Sequence, residues 1–436
     1  MKKNKGVESW NRAKRLIPGG TQLLSKRSEM FLPEQWPSYF KRAKGVEVWD
    51  LDDTHYIDMS IMGVGTCILG YADDDVNEAV KKVIDAGSMC TLNSPEEIEL
   101  AELLLHLHPW ADMVRYAKTG GEATTIAVRI ARAFTGKEKI AFCGYHGWHD
   151  WYLSANLADD KNLDGQLLPG LKPLGVPRGL KGTAIPFNYN RIDELRRIVE
   201  VNDVGVIIAE PIRHHEPEND FLGKIREIAN RIGAVLIFDE ITSGWRMNVG
   251  GVHELYNVYP DIVVYGKAMS NGFPMAAIIG RREIMDMAQE SFISSTYWTE
   301  RTGPAAAIAT INKMLEKEVP SHLCKTGNSI SKGWKKIANE HGLDITVMGI
   351  PPLPTMAFNY KNSQALHTLF TQEMLKKGFL ASKRVSVSYS HSEEHIDEYL
   401  RSVDEVFGLI KRAIENDNVF DILKGPVAHE GFKRLT

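Results

Sequence analysis

The stretch AVLIFDE at residues 234–240 decides the fold, because five apolar residues are followed at once by two carboxylates. A continuous apolar run of this length is typical of a strand that is covered on both faces of a sheet. Ligands of open α/β sheets bind at the carboxyl ends of the strands, so Asp239 is well placed to meet a ligand. Taken alone, Asp239 is explained equally well as the cap of the following turn or helix.

A second stretch, VVYGKAMSNG at residues 263–272, places a lysine directly after another apolar strand and a glycine. Lys267 follows Asp239 by 28 residues (267 − 239). An isolated lysine is usually a solvated surface charge. A lysine at the end of one strand and an aspartate at the end of another are the pair that a cofactor bound as a Schiff base requires.

Around these two stretches, apolar strands alternate with amphipathic helices, which predicts a mostly parallel sheet covered on both faces. The predicted strands are 139–143, 204–209, 234–238, 262–264 and 276–279, and the predicted helices are 122–135, 191–201 and 221–232. After about residue 315 the pattern changes to a long helix, short strands and a final helix near 393–416. We therefore predict an α/β fold with a large domain at 56–315. A smaller α+β domain is built from both chain ends, an N-terminal arm at 1–55 and a C-terminal part at 316–436.

Two local signals lie before the predicted sheet. Alternating apolar residues on either side of Asp52 and Asp53 indicate a short pair of strands. Ser94, Pro95 and Glu97 form a helix-start signal, in which we expect the serine and the glutamate to make a capping box.

Composition narrows the functional class of the 436-residue chain. Hydrophobic residues make up 43% and charged residues 25%, which are ordinary values for a soluble protein. The formal net charge of −4 argues against a general nucleic-acid binder. No apolar run is long enough to span a membrane, and the N-terminus lacks the apolar segment of a signal peptide. The four cysteines are scattered without a CxxC pair, so a reducing cytoplasm is the simplest location.

A candidate phosphate site precedes the helix predicted at 122–135. Thr119, Gly120 and Gly121 would offer a hydroxyl and backbone N–H groups at a helix start, where the helix dipole also favours an anion. Alone, this short motif is more often a plain turn. Neither a GxGxxG fingerprint nor a P-loop occurs, so the phosphate would belong to a small cofactor and not to a dinucleotide or ATP.

A fourth motif, FCGYHGWHD at residues 142–150, follows the strand after that helix. An aromatic ring there, such as that of Tyr145, is suited to stack on a planar cofactor. The two histidines and the aspartate also suggest a metal site, but no partner carboxylate has metal-ligand spacing, so no metal is expected.

These four elements, in this order and spacing, resemble the class-III, fold-type-I aminotransferases that use pyridoxal 5′-phosphate. The glutamate-1-semialdehyde aminomutase subgroup is especially similar, and the resemblance runs from about residue 16 to 396. It implies that Lys267 forms the Schiff base and carries protons, and that Asp239 pairs with the pyridinium nitrogen. Ile241 and Tyr145 would then pack on opposite faces of the ring.

The same resemblance implies the remaining cofactor contacts. Thr119, Gly120 and Gly121 would bind the phosphate, His146 would join Tyr145 beside the cofactor, and Glu210 would lie near a cofactor oxygen. The family also forms homodimers in which a threonine reaches the phosphate of the neighbouring subunit. In this sequence that residue is Thr296, with Thr299 as the alternative.

The substrate is less well defined by the sequence. The aminomutase subgroup holds its substrate carboxylate with a serine and an arginine after Pro-Gly-Gly, whereas residues 21–27 here read TQLLSKR. The acidic gate of that subgroup falls at the basic residues Lys383 and Arg384. We therefore expect transamination from an amino-acid donor to an aldehyde or ketone acceptor, with sugars among the candidates. Aminomutase activity is the alternative, and a non-catalytic homologue is a second alternative. A nicotinamide dehydrogenase is disfavoured because the glycine fingerprint is missing.

Overall fold

The computed structural model describes residues 4–166, 169–212 and 214–431, which form two compact units. One unit holds the described parts of Met1–Asp73 and Ser321–Thr436, and the other holds those of Asp74–Pro320. The division into domains after residues 55 and 315 stays a prediction.

Helices and strands alternate through most of the described chain. The helices are α1 (Lys5–Leu16), α2 (Met62–Gly65), α3 (Asp74–Asp85), α4 (Pro95–Leu107), α5 (Gly120–Thr135), α6 (Asp150–Leu153), α7 (Ile192–Val201), α8 (Phe221–Ile232), α9 (Arg282–Met285), α10 (Met287–Glu290), α11 (Thr302–Glu316), α12 (Val319–Glu340), α13 (Ser363–Lys376), α14 (Glu393–Glu415) and α15 (Val419–Ile422). The strands are β1 (Phe40–Lys44), β2 (Glu47–Asp50), β3 (His55–Met59), β4 (Met113–Ala117), β5 (Lys139–Cys143), β6 (Ala184–Pro186), β7 (Val204–Ala209), β8 (Val235–Asp239), β9 (Ile262–Tyr265), β10 (Ala276–Gly280), β11 (Ile345–Met348), β12 (Thr355–Phe358) and β13 (Phe379–Ala381).

A seven-stranded sheet in the order β4-β10-β9-β8-β7-β5-β6 forms the centre of the larger unit. Strands β9, β8, β7, β5 and β6 pair in parallel, whereas β10 is antiparallel to both β9 and β4. Six of the seven strands therefore run in one direction, which confirms the predicted mostly parallel sheet. Strands β7, β8 and β9 are buried at every residue, as expected for continuous apolar strands.

The unit that contains both chain ends has its own four-stranded sheet, in the order β1-β2-β3-β13. Strands β2 and β3 form the predicted antiparallel pair around Asp52 and Asp53. The edge strand β13, from the C-terminal part of the chain, pairs in parallel with β3 from the N-terminal part. This pairing confirms a second α+β substructure that both ends of the chain build.

The predicted capping box at the start of α4 is wrong. Pro95 occupies the first helical turn as expected, but the Ser94 side chain makes no capping hydrogen bond. The backbone N–H of Glu97 donates to the Ser94 carbonyl oxygen at 3.4 Å, and not to its hydroxyl. A capping box forms instead at the start of α5, between Thr119 and Glu122.

Candidate active site

The sheet places four predicted site residues at one edge. Tyr145 follows β5, Glu210 follows β7, Asp239 ends β8 and Lys267 follows β9. These four strands are neighbours and parallel, so their carboxyl ends meet at the same edge. Chain positions up to 122 residues apart (267 − 145) thus belong to one candidate site.

Asp239 is a buried carboxylate held on both oxygens. Its side chain is only 3% exposed. One oxygen, Oδ1, accepts the backbone N–H of Ile241 at 3.1 Å, and Oδ2 accepts the Nδ1–H of His146 at 2.8 Å. A buried charge of this kind requires such partners, because an isolated carboxylate is costly to remove from water.

His146 is oriented by acceptors on both of its ring nitrogens. Its Nδ1 faces the Asp239 carboxylate, and its Nε2 lies 3.1 Å from the carbonyl oxygen of Cys143. Carboxylate and carbonyl oxygens are both hydrogen-bond acceptors, so the ring is held from both sides. His146 also stacks on Trp151, with ring centroids 6.2 Å apart. This histidine therefore fixes the orientation of Asp239.

Glu240, the second carboxylate of the decisive stretch, has a different function. It is fully buried, and it accepts the backbone N–H groups of Val252 and His253 at 2.7 and 2.9 Å. The Nδ1–H of His253 also donates to it at 2.7 Å. Glu240 thus ties the turn after β8 to residues 252–253 and stabilises the loop that carries Asp239.

Lys267 begins the turn after β9 in an unusual backbone conformation. Its φ angle is +46°, a left-handed value that non-glycine residues rarely adopt and that functional sites often retain. Its Nζ donates to the hydroxyl of Thr242 at 2.8 Å. Thr242 was not among the residues predicted from the sequence.

The loop after β5 packs closely against Glu210. The carboxylate of Glu210 accepts the backbone N–H of Tyr145 at 3.0 Å and is 4% exposed. Gly144 has φ +112°, and a Cβ atom there would lie 2.6 Å from a Glu210 oxygen. Glycine is therefore required at 144 for Tyr145 and Glu210 to lie together.

The start of α5 forms a narrow cradle beside Ile241. A Cβ on Gly120 would approach the Ile241 side chain to 2.8 Å, and one on Gly121 would lie 3.1 Å from the His149 ring. The Glu122 carboxylate accepts the N–H and the hydroxyl of Thr119 at 2.9 and 3.0 Å. The first backbone N–H groups of a helix have no intrahelical acceptor, so this end of α5 can bind an anion.

Thr296 and Thr299 both lie on a short 3-10 turn, and both are exposed. The hydroxyl of Thr299 donates to the carbonyl oxygen of Thr296 at 3.4 Å. The turn is continued by Glu300, which accepts the Nζ of Lys118 at 3.0 Å, next to the α5 cradle. The choice between the two threonines stays a prediction.

These residues fit pyridoxal phosphate by their chemistry. A helix start lined closely by two glycines suits the phosphate, a buried carboxylate suits a protonated ring nitrogen, and a lysine amine suits the aldehyde. Ile241 and Tyr145 lie on the loops that follow β8 and β5, two strands that both pair with β7.

The comparison with known families decides the identity. The model of the class-III aminotransferases matches residues 33–407. The chain belongs to this family. The predicted family, the pyridoxal phosphate cofactor and the aminotransferase activity are thereby confirmed: the protein is a class-III aminotransferase that transfers an amino group between an amino donor and a carbonyl acceptor.

Relatives of this class-III aminotransferase include enzymes of different names. The 3-aminobutyryl-CoA aminotransferase of Cloacimonas acidaminovorans is 32% identical, over 95% of this chain and 99% of the relative. The glutamate-1-semialdehyde 2,1-aminomutase of Methanothrix thermoacetophila is 33% identical, over 92% and 96%. A solved transaminase structure with pyridoxal phosphate bound is 26% identical, with a TM-score of 0.83, and the match covers 94% of this chain and 99% of that one.

Two further features concern the described residues alone. Within residues 4–166, 169–212 and 214–431, no helix is both long and apolar enough to cross a membrane. In the same part of the aminotransferase chain, no group of three or more histidine, cysteine, aspartate or glutamate side chains could hold a metal ion.

Proposed function

We propose that Lys267 is the residue to which the cofactor attaches and that Asp239 is the partner of its ring nitrogen. The observation that carries this proposal is the edge of the sheet, where the lysine, the aspartate and its hydrogen-bond partner His146 follow parallel strands of one sheet. When bound, pyridoxal phosphate supplies a cationic ring that accepts electrons from the substrate Cα.

The chain's own residues supply orientation and proton movement. The carboxylate of Asp239 would hold a proton on the ring nitrogen, because an opposite charge favours the cationic form. The Nζ of Lys267 would take up the proton that leaves the substrate Cα and return it as the acid of the reaction. The N–H groups of Gly120 and Gly121, with Thr119 at the cap, bind the phosphate.

The residues on either side of the cofactor ring would set its orientation. Tyr145 and Ile241 would hold the cofactor ring between them, and His146 holds Asp239 in place. Glu210, fixed by the Tyr145 N–H, would bind near a cofactor oxygen. Reduction of the bound cofactor with borohydride, followed by peptide mapping, tests the attachment: a label on any lysine other than Lys267 contradicts it.

For the substrates, we propose an amino-acid donor and a separate aldehyde or ketone acceptor. A mutase must retain one substrate through both half-reactions, which requires a carboxylate clamp and a gate. The corresponding segments here carry Lys26 and Arg27, and Lys383 and Arg384, of which Lys26 and Lys383 are exposed. The similarity to a 3-aminobutyryl-CoA aminotransferase over nearly the full length supports an intermolecular reaction.

Glutamate-1-semialdehyde 2,1-aminomutase activity is the second candidate, because relatives of that name match 92–93% of the chain. One experiment separates the two. The enzyme is incubated with glutamate-1-semialdehyde alone, and in parallel with a panel of amino donors. Loss of the cofactor's visible absorbance with a simple donor, and little 5-aminolevulinate from the semialdehyde, supports the transaminase. Efficient stoichiometric conversion to 5-aminolevulinate without any donor contradicts it.

We also propose a homodimer with shared active sites. Large aromatic side chains project from the surface near the 3-10 turn at Thr296: Phe292 is 89% exposed, and Trp148 and Tyr297 are each 68% exposed. Exposed apolar groups of this size commonly mark a protein interface. Sedimentation of the active enzyme tests the proposal, and a fully active monomer contradicts it.

We also propose that the protein is cytoplasmic. It rests on the four cysteines, Cys67, Cys90, Cys143 and Cys324, which are all free thiols in the structure. Free thiols are typical of a reducing compartment.

A further inference from the structure

The turns that follow two neighbouring strands bring Thr242 and Lys267 together. Strands β8 and β9 pair in parallel as far as Asp239 and Val264. Thr242 lies in the turn after β8, and Lys267 begins the turn after β9. The Nζ of Lys267 donates to the Thr242 hydroxyl at 2.8 Å.

Thr242 lies in a turn that several other contacts hold in place. Its carbonyl oxygen accepts the Nε of Arg246 at 2.7 Å, and Arg246 is only 1% exposed. The N–H of Gly244 donates to the carbonyl oxygen of Glu240 at 2.8 Å. A Cβ on Gly244 would approach that oxygen to 2.8 Å, so the turn is closely packed. The hydroxyl that meets the lysine is therefore presented by a rigid backbone.

We propose that Thr242 is a positioning residue for Lys267, which holds the lysine nitrogen whenever it is not bonded to the cofactor. The inference rests on the proposed function of Lys267 as the attachment point. A threonine hydroxyl has two acceptor lone pairs and one donor hydrogen, so it can bond to the nitrogen both as ammonium and as amine. A lysine side chain has four flexible carbons, and fixing its nitrogen keeps it within reach of the proton it must move.

The role of Thr242 is orientation alone, since its hydroxyl gains and loses no proton in the reaction. The proposal assigns the positioning of Lys267 to the Thr242 hydroxyl. Two substitutions distinguish the effect of this hydroxyl from the effect of side-chain shape. Thr242→Val keeps the size and branching of the side chain but removes the oxygen. Thr242→Ser keeps the oxygen and removes only a methyl group. Thr242→Ala provides a second hydroxyl-free variant of smaller volume if the valine variant does not fold.

The experiment first measures the lysine without the cofactor. Cofactor-free wild-type protein and the three variants are labelled with acetic anhydride across a pH series, and the extent of labelling is quantified by peptide mass spectrometry. Lys118 serves as the internal reference because its Nζ is bonded to Glu300 and not to Thr242. The hydroxyl bonds to the ammonium more strongly than to the amine, and loss of a difference of about 1 kcal/mol corresponds to about fivefold faster labelling of Lys267 at a pH where the ammonium predominates. We expect this increase in Thr242→Val, and near wild-type labelling in Thr242→Ser.

Turnover supplies the second measurement. We expect kcat to fall about tenfold in Thr242→Val with little change in KM, and to recover in Thr242→Ser. Unchanged labelling of Lys267 in Thr242→Val, or a serine variant that behaves like the valine variant, overturns the proposal. Borohydride mapping of wild-type enzyme separates this outcome from a failure of the proposed function. A label on a different lysine rejects the function of Lys267, whereas the labelling series still reports whether Thr242 holds it.

Discussion

Replacement of Asp239 by asparagine tests the electrostatics of the site most directly. Both oxygens of Asp239 accept N–H groups, from Ile241 at 3.1 Å and from His146 at 2.8 Å. An asparagine side chain has only one oxygen, so its amide nitrogen must face one of these two donors. The backbone N–H of Ile241 cannot change, so the amide nitrogen turns to His146. That histidine must then give up its Nδ1 hydrogen and accept instead.

The expected loss of activity in the Asp239→Asn variant follows from these contacts. Asp239→Asn removes one charge-assisted hydrogen bond, worth about 1.5–3 kcal/mol, and the negative charge that keeps the cofactor ring protonated. At 1.36 kcal/mol per tenfold change in rate, the hydrogen bond alone corresponds to a factor of about 10–150. We expect kcat to fall at least about 100-fold. Gly120 and Gly121, the proposed phosphate-binding residues, are untouched, so cofactor affinity should change far less.

Stopped-flow measurement of one half-reaction with a reactive amino donor gives the rate, and fluorescence titration gives the cofactor affinity. The matched control is the double variant with His146→Gln. If His146 acts through Asp239, the second substitution should add little to the loss caused by the first. A half-reaction within threefold of the wild-type rate in Asp239→Asn would refute the reasoning, as would fully additive losses in the double variant.

Three other perturbations extend the test. Lys267→Ala should reduce borohydride-stable cofactor incorporation to background, and residual incorporation at wild-type level is incompatible with the proposed attachment. Glu300→Gln weakens the ion pair to Lys118 beside the phosphate cradle, so cofactor Kd should rise about fivefold for the loss of about 1 kcal/mol, and an unchanged Kd would exclude this coupling. Burial lowers the pKa of His391 from 6.5 to about 4, so the folded chain binds fewer protons than the unfolded chain between these values. The free energy of unfolding should therefore fall as pH drops from 6.5 to 4, by about 3 kcal/mol for this group, and urea titrations that show a flat profile would contradict it.

The strands and their grouping at one sheet edge follow from the sequence. Each of the five strands predicted between residues 139 and 279 matches an observed strand to within one residue at either end, because a strand buried on both faces is continuously apolar and easily recognised. Since parallel strands share a direction, residues just after their ends must converge. This rule alone placed Asp239 and Lys267 in one site.

Side-chain pairings at that edge could not be predicted in the same way. The bond between His146 and Asp239 joins residues 93 positions apart, and nothing in their spacing encodes it. The contact between Thr242 and Lys267 joins two turns that lie beyond the paired residues of β8 and β9, and no local pattern defines it. The sequence therefore named His146 without its bond to Asp239 and did not name Thr242, although these contacts determine how the acid and the amine are held.

The hydrogen bonds that cap the helix starts could not be predicted from the sequence either, although they join residues only three positions apart. Ser94 and Thr119 are each followed by a glutamate three positions later, and each begins a helix. Only Thr119 forms the capping box with Glu122. The sequence pattern shows which side chains are able to form a capping box. Whether the hydrogen bonds form depends on the conformation of each side chain at the helix start.

The hydrogen-bonding capacity of Asp239 explains why an aspartate is required at the end of β8. An ionised carboxylate has about four lone-pair sites, and the bonds from Ile241 and His146 use two of them. A ring N–H can therefore bind the same group without displacing either partner. His146 holds the Asp239 carboxylate in a fixed orientation, with lone pairs left for a third donor. In the proposed function that third donor is the protonated ring nitrogen of the cofactor, which a carboxylate favours by its opposite charge.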